Sequence, residues 1–489
     1  MPASPTDSLA PDPSAATLAA TSLRARLAAR LDASGRYPRF VLLAALAGMF
    51  AATFPITILT VSLASIAREF GTRETTLAWV LAGPMLVSAV ALPLLGKLGD
   101  LRGHRRVFLF GTAAATLTAA ATCFAWSPGS LIGFRTLAAT LGGATQPTAI
   151  ALVFSVTPRE ERVRAMGWWS MTAAGAPAIG LVAGGPLVDW LGWRIVFALQ
   201  ACFCFVAFAL AFAVLRETPR RRVGADLPGS LSLALGVAGI MFALGQVRDH
   251  PIASPWVAGA LGVGALGLAL FWQVEQRVAA PLLPVALLRE RRTFVAPLAA
   301  NALTSASYMG AFAIAPYLLQ RSFGLSITAT ASVLLLRTAT YSFGSPLGGA
   351  LGVRLGERAA AWLGCLVMVV GIGVLAWGAW LVHFATVAAG LLLQGLGYGL
   401  CTPSISSAAS NAGHEDDVGV TSAVSRMMGS IGSAFGVTLL TLLYGGVDAP
   451  RALATAFGAG GVLAFAAFLA AFAMRVAHVA RLEPGSERR

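Results

Sequence analysis

Pro93-Leu-Leu-Gly96-Lys-Leu-Gly99-Asp100-Leu-Arg102-Gly103-His-Arg105 returns later in the chain as Pro346-Leu-Gly-Gly349-Ala-Leu-Gly352-Val353-Arg354-Leu-Gly356-Glu-Arg358. The proline, both inner glycines, the late glycine and the final arginine match at an offset of 253 residues. A separate match has nearly the same spacing: Arg135 with Pro147 corresponds to Leu391 with Pro403, an offset of 256. Two independent matches at almost one offset indicate duplicated halves. Two further apolar segments, roughly 227–274, stand between the copies, flanked by the basic stretches 216–222 and 289–292.

Composition places these halves in a membrane. The 489 residues are 57% hydrophobic and only 11% charged, with a mean hydropathy of +0.76. Soluble domains carry roughly 25% charged residues. A soluble enzyme, a disordered chain and a nucleic-acid-binding domain are therefore excluded. At ~20 residues per crossing the apolar fraction leaves room for ~14 spans. The five cysteines, Cys123, Cys202, Cys204, Cys365 and Cys401, all lie in apolar stretches. No acid or histidine stands beside them at ligand spacing, so they read as small buried hydrophobes, with no metal site and no cofactor expected. The first apolar run begins near Phe40, behind a Pro/Ser/Ala-rich tail, and is too long for a signal-peptide core.

Charges mark the spans. Charge-free windows run 40–67, 75–96, 107–134, 136–158, 165–188, 195–215, 227–247, 250–274, 293–320, 359–414 and 452–474, and two more, 322–353 and 418–447, carry one arginine each. The 359–414 window divides near Trp377–His383, which makes fourteen helices. The expected fold is an all-α integral membrane protein. Its organisation is a tail (1–37), a six-helix bundle (38–215), two inserted helices (216–292), a second six-helix bundle (293–474) and a tail (475–489). With an even span number both tails lie on one side, and that side holds 26 of the 35 Lys and Arg residues. The positive-inside rule puts it in the cytoplasm, so the net charge of +14 reports topology and contact with membrane lipid rather than nucleic acid.

Three arginines fall inside spans: Arg135, Arg337 and Arg426. A charge there costs ~2.5–3.5 kcal/mol on insertion scales unless it faces a polar interior. Asn301, Ser305 and Tyr308 are spaced to share one helix face, and Gln146, Gln394 and Tyr398 add donors in an apolar setting. These nine residues are the expected cavity lining. No Asp, Glu or His lies near the middle of any span. Proton coupling would therefore use an acid at a helix end, Asp100 or Asp189, or be absent.

Gly96-Lys-Leu-Gly-Asp100-Leu-Arg102-Gly103-His-Arg105-Arg106 resembles the cytoplasmic loop signature of the major facilitator superfamily. Fourteen spans, the 281–294 stretch, Gly192-Trp193-Arg194 and Arg426-Met-Met-Gly429 resemble its fourteen-span drug:proton antiporter branch. The resemblance covers about residues 40–475. It implies a transporter working by alternating access, exporting small amphipathic molecules against protons from the cell membrane. In the loop, Asp100 can pair with an arginine or a helix N-terminus of the other half and latch that side shut. Arg135 and Pro147 match the family's fourth-span motif, although Ala138 and Ala139 replace its usual glutamine and glycine. Gly175, Pro177, Gly180, Gly184 and Gly185 on span 5 resemble the exporters' antiporter motif, with Gly180-Leu181 in place of the usual Gly-Pro. The family's first-span aspartate and asparagine are Pro55 and Thr60 here, so antiport rests on kinship alone. A lipid or other envelope amphiphile carried by the same fold, with or without proton coupling, stays open as cargo. An embedded enzyme has only His414-Glu415-Asp416-Asp417 to offer, a loop that reads more simply as turn and helix-start residues.

Overall fold

Apolar segments this long leave the backbone no partner but itself, so helices are the form available to them in lipid. The computed structural model describes residues 33–72, 98–218, 227–247, 253–278, 291–412, 418–444 and 450–475, with isolated positions between 77 and 96 and at 250 and 251. Every regular element among them is helical. In the first half these are α1 (Tyr37–Glu69), α2 (His104–Cys123), α3 (Pro128–Gly142), α4 (Thr145–Val156), α5 (Arg159–Leu191) and α6 (Trp193–Val214). The inserted pair is α7 (Leu227–Gln246) and α8 (Pro255–Glu275). The second half holds α9 (Ala296–Tyr317), α10 (Ile327–Leu355), α11 (Glu357–Leu381), α12 (Phe384–Asn411), α13 (Val418–Tyr444) and α14 (Pro450–Ala473). Ten helices among the described residues are long and apolar enough to cross a membrane. The expected span 75–96 lies largely outside the described residues, as does the His414–Asp417 loop.

One boundary differs from the charge-free windows. Those windows break at Arg135, but the chain turns earlier, at Phe124–Ser127. Ser127 and Ser130 cap α3 reciprocally, and Pro128 opens it without forfeiting a hydrogen bond. Arg135 stays inside α3 because Gln200 and the Phe197 ring receive its guanidinium there. The break expected near Trp377–His383 falls at Val382, whose φ of 52° is left-handed. His383 follows as the N-cap of α12 and accepts from Thr386 N at 3.4 Å. At both copies of the repeat a glycine with positive φ starts the next helix, Gly103 at 97° and Gly356 at 87°. A side chain at either would be strained.

Small residues set the packing, since lipid supplies no hydrophobic drive between helices. Along the antiparallel pair α11 and α12, Gly364, Gly371 and Gly378 meet Cys401, Gln394 and Val387 in turn, while Gly390 and Gly397 meet Leu375 and Met368. Gly432 and Gly436 of α13 press on the carbonyls of Ala302 and Ala306 in α9. α7 and α8 approach through Gly239, Gly264 and Gly267. The helices on either side of the insert pack mainly among themselves, with α1 on α4, α5 and α6, and α9 on α12, α13 and α14. The halves meet where α5 crosses α10 and α12, and where α4 meets α13.

Gly436→Leu should lower the thermal midpoint of the purified protein and its monodisperse yield, since overpacking costs about 1–3 kcal/mol. Gly458→Leu, where an added Cβ meets nothing within 4 Å, should leave both close to wild type. Equal behaviour of the two variants in a thermal-shift assay would contradict this account of α9–α13 packing.

Candidate functional site

The repeated loop is held from both sides. On its own half, His104 N donates to Thr218 Oγ1 at 3.0 Å and Arg105 N to Glu217 Oε1 at 3.1 Å. Arg106 Nε adds an ion pair with Glu217 Oε2 at 3.4 Å, and the Arg105 guanidinium lies over the Phe212 ring. Gly103 lets Glu217 come this close, because an added Cβ would strike that carboxylate. Arg102 is exposed. Toward the other half, Asp100 is 4% exposed, with His104 Nε2 3.2 Å from its Oδ1. The same oxygen would be 2.5 Å from a Cβ at Gly419, and Gly96 O would be 3.0 Å from it. Gly419 is the second residue of α13, so the Asp100 carboxylate sits against the electropositive start of a helix in the opposite half.

In the second copy, Glu357 occupies the place of His104. It is buried, and its Oε1 accepts from Ser407 Oγ and from Asn411 Nδ2 at 3.2 Å. Asn411 Oδ1 in turn accepts from Arg162 Nη1 at 2.9 Å. Arg162 belongs to α5 in the first half, where its Nη2 donates to Phe154 O at 2.9 Å and its guanidinium covers the Phe154 ring. A polar chain Glu357–Asn411–Arg162 therefore joins the halves beneath the basic loops. Beside it α5 and α10 touch backbone to backbone. A Cβ at Gly167 would lie 2.8 Å from Ser345 O, and one at Gly349 2.9 Å from Val163 O. Sequence reasoning counted Glu357 and Arg162 only as loop charges and missed Asn411. The 253-residue offset, which sets Glu357 on His104, was the available signal.

Above this seal a cavity of about 230 Å³ opens between the halves. Ile150, Met166, Trp169 and Ser170 line it from the first half, and Asn301, Ser305, Tyr341, Tyr398, Ser425 and Arg426 from the second. Asn301 Nδ2 donates to Ser425 O at 2.7 Å, and the Ser305 and Tyr398 hydroxyls are 3.2 Å apart. Tyr308 and Arg337 stand one layer behind. Tyr308 stacks on Tyr398 with ring centroids 4.1 Å apart, and the Arg337 guanidinium lies 3.7 Å from the Tyr308 centroid. Arg337 is fully buried and donates to Gln394 Oε1 at 3.1 Å and Tyr308 O at 2.7 Å.

Of the nine expected lining residues, the structure thus brings Asn301, Ser305, Tyr398 and Arg426 to the cavity wall. Tyr308, Arg337 and Gln394 support that wall from behind. Arg135 is elsewhere: it is buried between α3 and α6, 3.3 Å from Gln200 Oε1, because that amide and the Phe197 ring offer a partner inside its own half. Gln146 is half-buried on α4 and is not among the residues lining this cavity. On α5, which runs unbroken through Pro177, a Cβ at Gly175 would be 3.7 Å from Ser342 Oγ in the other half, and Gly180 is buried. The surroundings of Gly184 and Gly185 and the side chain of Asp189 lie outside the described residues.

At the opposite end of the helices, Glu69 closes α1 onto α6. Trp193 Nε1 donates to Glu69 Oε2 at 2.7 Å and Arg194 pairs with Oε1. The Trp193 hydrogen bond, ahead of Arg194, holds this carboxyl below its ordinary range against the opposing effect of partial burial. Gly192-Trp193-Arg194 is thus a clasp between two helix ends of one half.

A family model described as Major Facilitator Superfamily matches residues 41–286 and 298–489. The chain belongs to the major facilitator superfamily. Among its relatives, Multidrug resistance protein Stp of Mycobacterium tuberculosis is 28% identical over 397 residues, 80% of this chain and 73% of that protein. The Tetracenomycin C resistance and export protein of Streptomyces glaucescens is 29% identical over 336 residues, 67% of this chain and 61% of its own. The solved structure of the proton:xylose symporter XylE superposes with a TM-score of 0.65 at 10% identity, covering 89% of this chain and 95% of that one. Fold and family make this a multi-pass membrane transporter for small molecules rather than an enzyme.

Two substitutions probe the seal of this facilitator. Asn411→Ala strands Arg162 and Glu357 without their shared amide, a loss of about 1–3 kcal/mol for buried polar groups. In a background with the native cysteines replaced, Ser410→Cys should then react several-fold faster with a membrane-impermeant maleimide added on the basic-loop side. Asp100→Asn should insert and fold normally yet transport more slowly, because the charge facing α13 is lost while its shape remains. Unchanged transport at equal expression would remove Asp100 from the seal.

Proposed function

We propose that this protein exports amphipathic small molecules by alternating access, as a member of the fourteen-span drug:proton antiporter branch. The observation that carries the reading is a central cavity between the halves, lined by both, above a seal at the end that bears the basic loops. The relatives named for multidrug resistance and for antibiotic export support cargo of this class. In this reading residues 38–215 and 293–474 are the two six-helix bundles, 216–292 carries the inserted pair, and both tails are cytoplasmic. The present state then opens away from the cytoplasm, and transport requires the α5–α10 contact, the Asp100–α13 contact and the Glu357–Asn411–Arg162 chain to part together.

Coupling in this reading falls to acids at the edges. Asp100 lies in the seal itself, and Asp189 stands at the far end of α5. Protonating Asp100 would weaken its attraction to the α13 N-terminus and favour opening, which links proton entry to the change of access. A lipid-like cargo is a second reading, favoured by an apolar cleft of about 640 Å³ between α7, α8 and Val87 on the outside of the helix assembly.

Proteoliposomes with an imposed pH gradient and a panel of fluorescent amphiphiles test both readings. We expect gradient-driven dye movement, reduced at least several-fold by Asp189→Asn and more so together with Asp100→Asn. Strong proton-driven transport in the double variant would overturn the assignment of coupling. Movement of labelled phospholipid but of no soluble amphiphile would favour the second reading.

A further inference from the structure

The cavity wall contains hydrogen-bond donors that the protein leaves without acceptors. Arg426 projects from α13 into the space between the halves, and no hydrogen bond or ion pair reaches its guanidinium among the described residues. No carboxylate stands in the middle of any apolar window of the sequence to serve it. Across the cavity, Trp169 of α5 is 4% exposed and its indole N–H is buried with no partner. Neighbouring hydroxyls can offer these donors only neutral oxygens and no counter-charge. Ser430 and Ser433 already give their protons to the carbonyls of Arg426 and Gly429, at 3.2 and 2.8 Å. Behind the wall, Arg337 adds a second positive charge, held by a neutral amide and a carbonyl rather than by an acid.

A cation in a low-dielectric cavity without a counter-charge is costly, and a donor left dry is costly as well. Both debts are settled at once by an acceptor anion arriving with the cargo. We propose that the cavity takes an organic monoanion, an aromatic or polycyclic molecule bearing one carboxylate or equivalent oxyanion, paired by Arg426 and hydrogen-bonded by Trp169. The inference rests on the reading of this cavity as the transport site and narrows its cargo. Tyr341 and Tyr398, packed edge to face with centroids 5.0 Å apart, give the apolar body of such a molecule a ring surface. The planar fork of Arg426 suits an oxyanion in two-point contact, which an ammonium or a neutral amide cannot make. Organic cations, repelled by Arg426 and by Arg337 behind it, are disfavoured.

The test uses full-length protein in nanodiscs and proteoliposomes with three probes of one shape: 2-naphthoate, 2-naphthamide and 2-naphthyltrimethylammonium. Wild type should bind the carboxylate at least about tenfold more tightly than the amide, the size of one charge-assisted hydrogen-bonded contact. The ammonium should bind more weakly than either. Arg426→Gln should collapse the carboxylate-to-amide ratio to within about threefold, and Arg426→Lys, which keeps the charge but loses the two-point fork, should restore only part of it. Trp169→Phe should lower the ratio several-fold. Wild-type preference for the amide or the ammonium overturns the proposal while leaving export intact, and needs no variant to fold. Binding of none of the three, with no probe moved across the vesicles, overturns the cavity as transport site and this proposal with it. Loss of the carboxylate preference when chloride is raised would assign Arg426 to an inorganic ion and also overturn it.

Discussion

Backbone contact between α5 and α10 is the interaction on which the rest of the closed end depends. Gly167 and Gly349 let the two helices approach backbone to backbone, and Gly352 makes room for the Val163 side chain. That proximity brings Arg162 within reach of Asn411 and hence of Glu357. Without it Arg162 would lose Asn411, while Glu357 and Asn411, both of the second half, would keep only each other and Ser407. It also sets α4 and the Asp100 loop against the start of α13, where a glycine again leaves room for the carboxylate. A contact made of small residues is shape-specific yet brings little apolar side chain together.

The two copies of the repeat have kept their backbone and diverged in chemistry. Both put a glycine of positive φ before a helix, so the turn survives. The first copy places Asp100 beside His104, facing a helix N-terminus across the divide. The second has Val353 where that acid would be and moves its carboxylate to Glu357, which is reached through an amide instead. The seal is thus asymmetric, a direct dipole contact on one side and a relayed hydrogen-bond chain on the other. Similar asymmetry marks the interior. Polar groups and the tyrosine cluster concentrate on α9, α10, α12 and α13, while the first half contributes Trp169, Ser170 and apolar surface. The polar lining of the cavity thus comes mainly from one half.

The three intramembrane arginines show how one residue type divides into different roles by context. Arg135 pairs with Gln200 and a phenylalanine ring within its own half. Arg337 stacks on Tyr308 and props the wall of the cavity. Arg426 alone of the three lines the space itself. Each follows the rule that a charge in a span must find polar company, and the company differs according to which helix lies opposite.

The sequence by itself determined the class, an all-helical membrane protein, and carried the repeated loop whose glycine turns the structure shows. Hydropathy, basic loops and the 253-residue offset need no tertiary knowledge, because bilayer thickness and helix rise are constants. Asn301 and Ser305 could be placed on one face from spacing alone, since a helix repeats every 3.6 residues. Tertiary structure decided what lay across from each face. The cost of a charge within a span points Arg135 and Arg426 alike toward polar company, yet only the neighbouring helix determines whether a cavity or Gln200 awaits. The break at Ser127 escaped the charge-free windows because a capping box, and not a charge, ends the preceding helix. Glu357 looked like a loop acid because its partners, Ser407 and Asn411, come from α12, and its link to Arg162 crosses 195 positions of chain. Contacts of that separation leave no periodic trace in sequence; they exist only once two helices of different halves are pressed together.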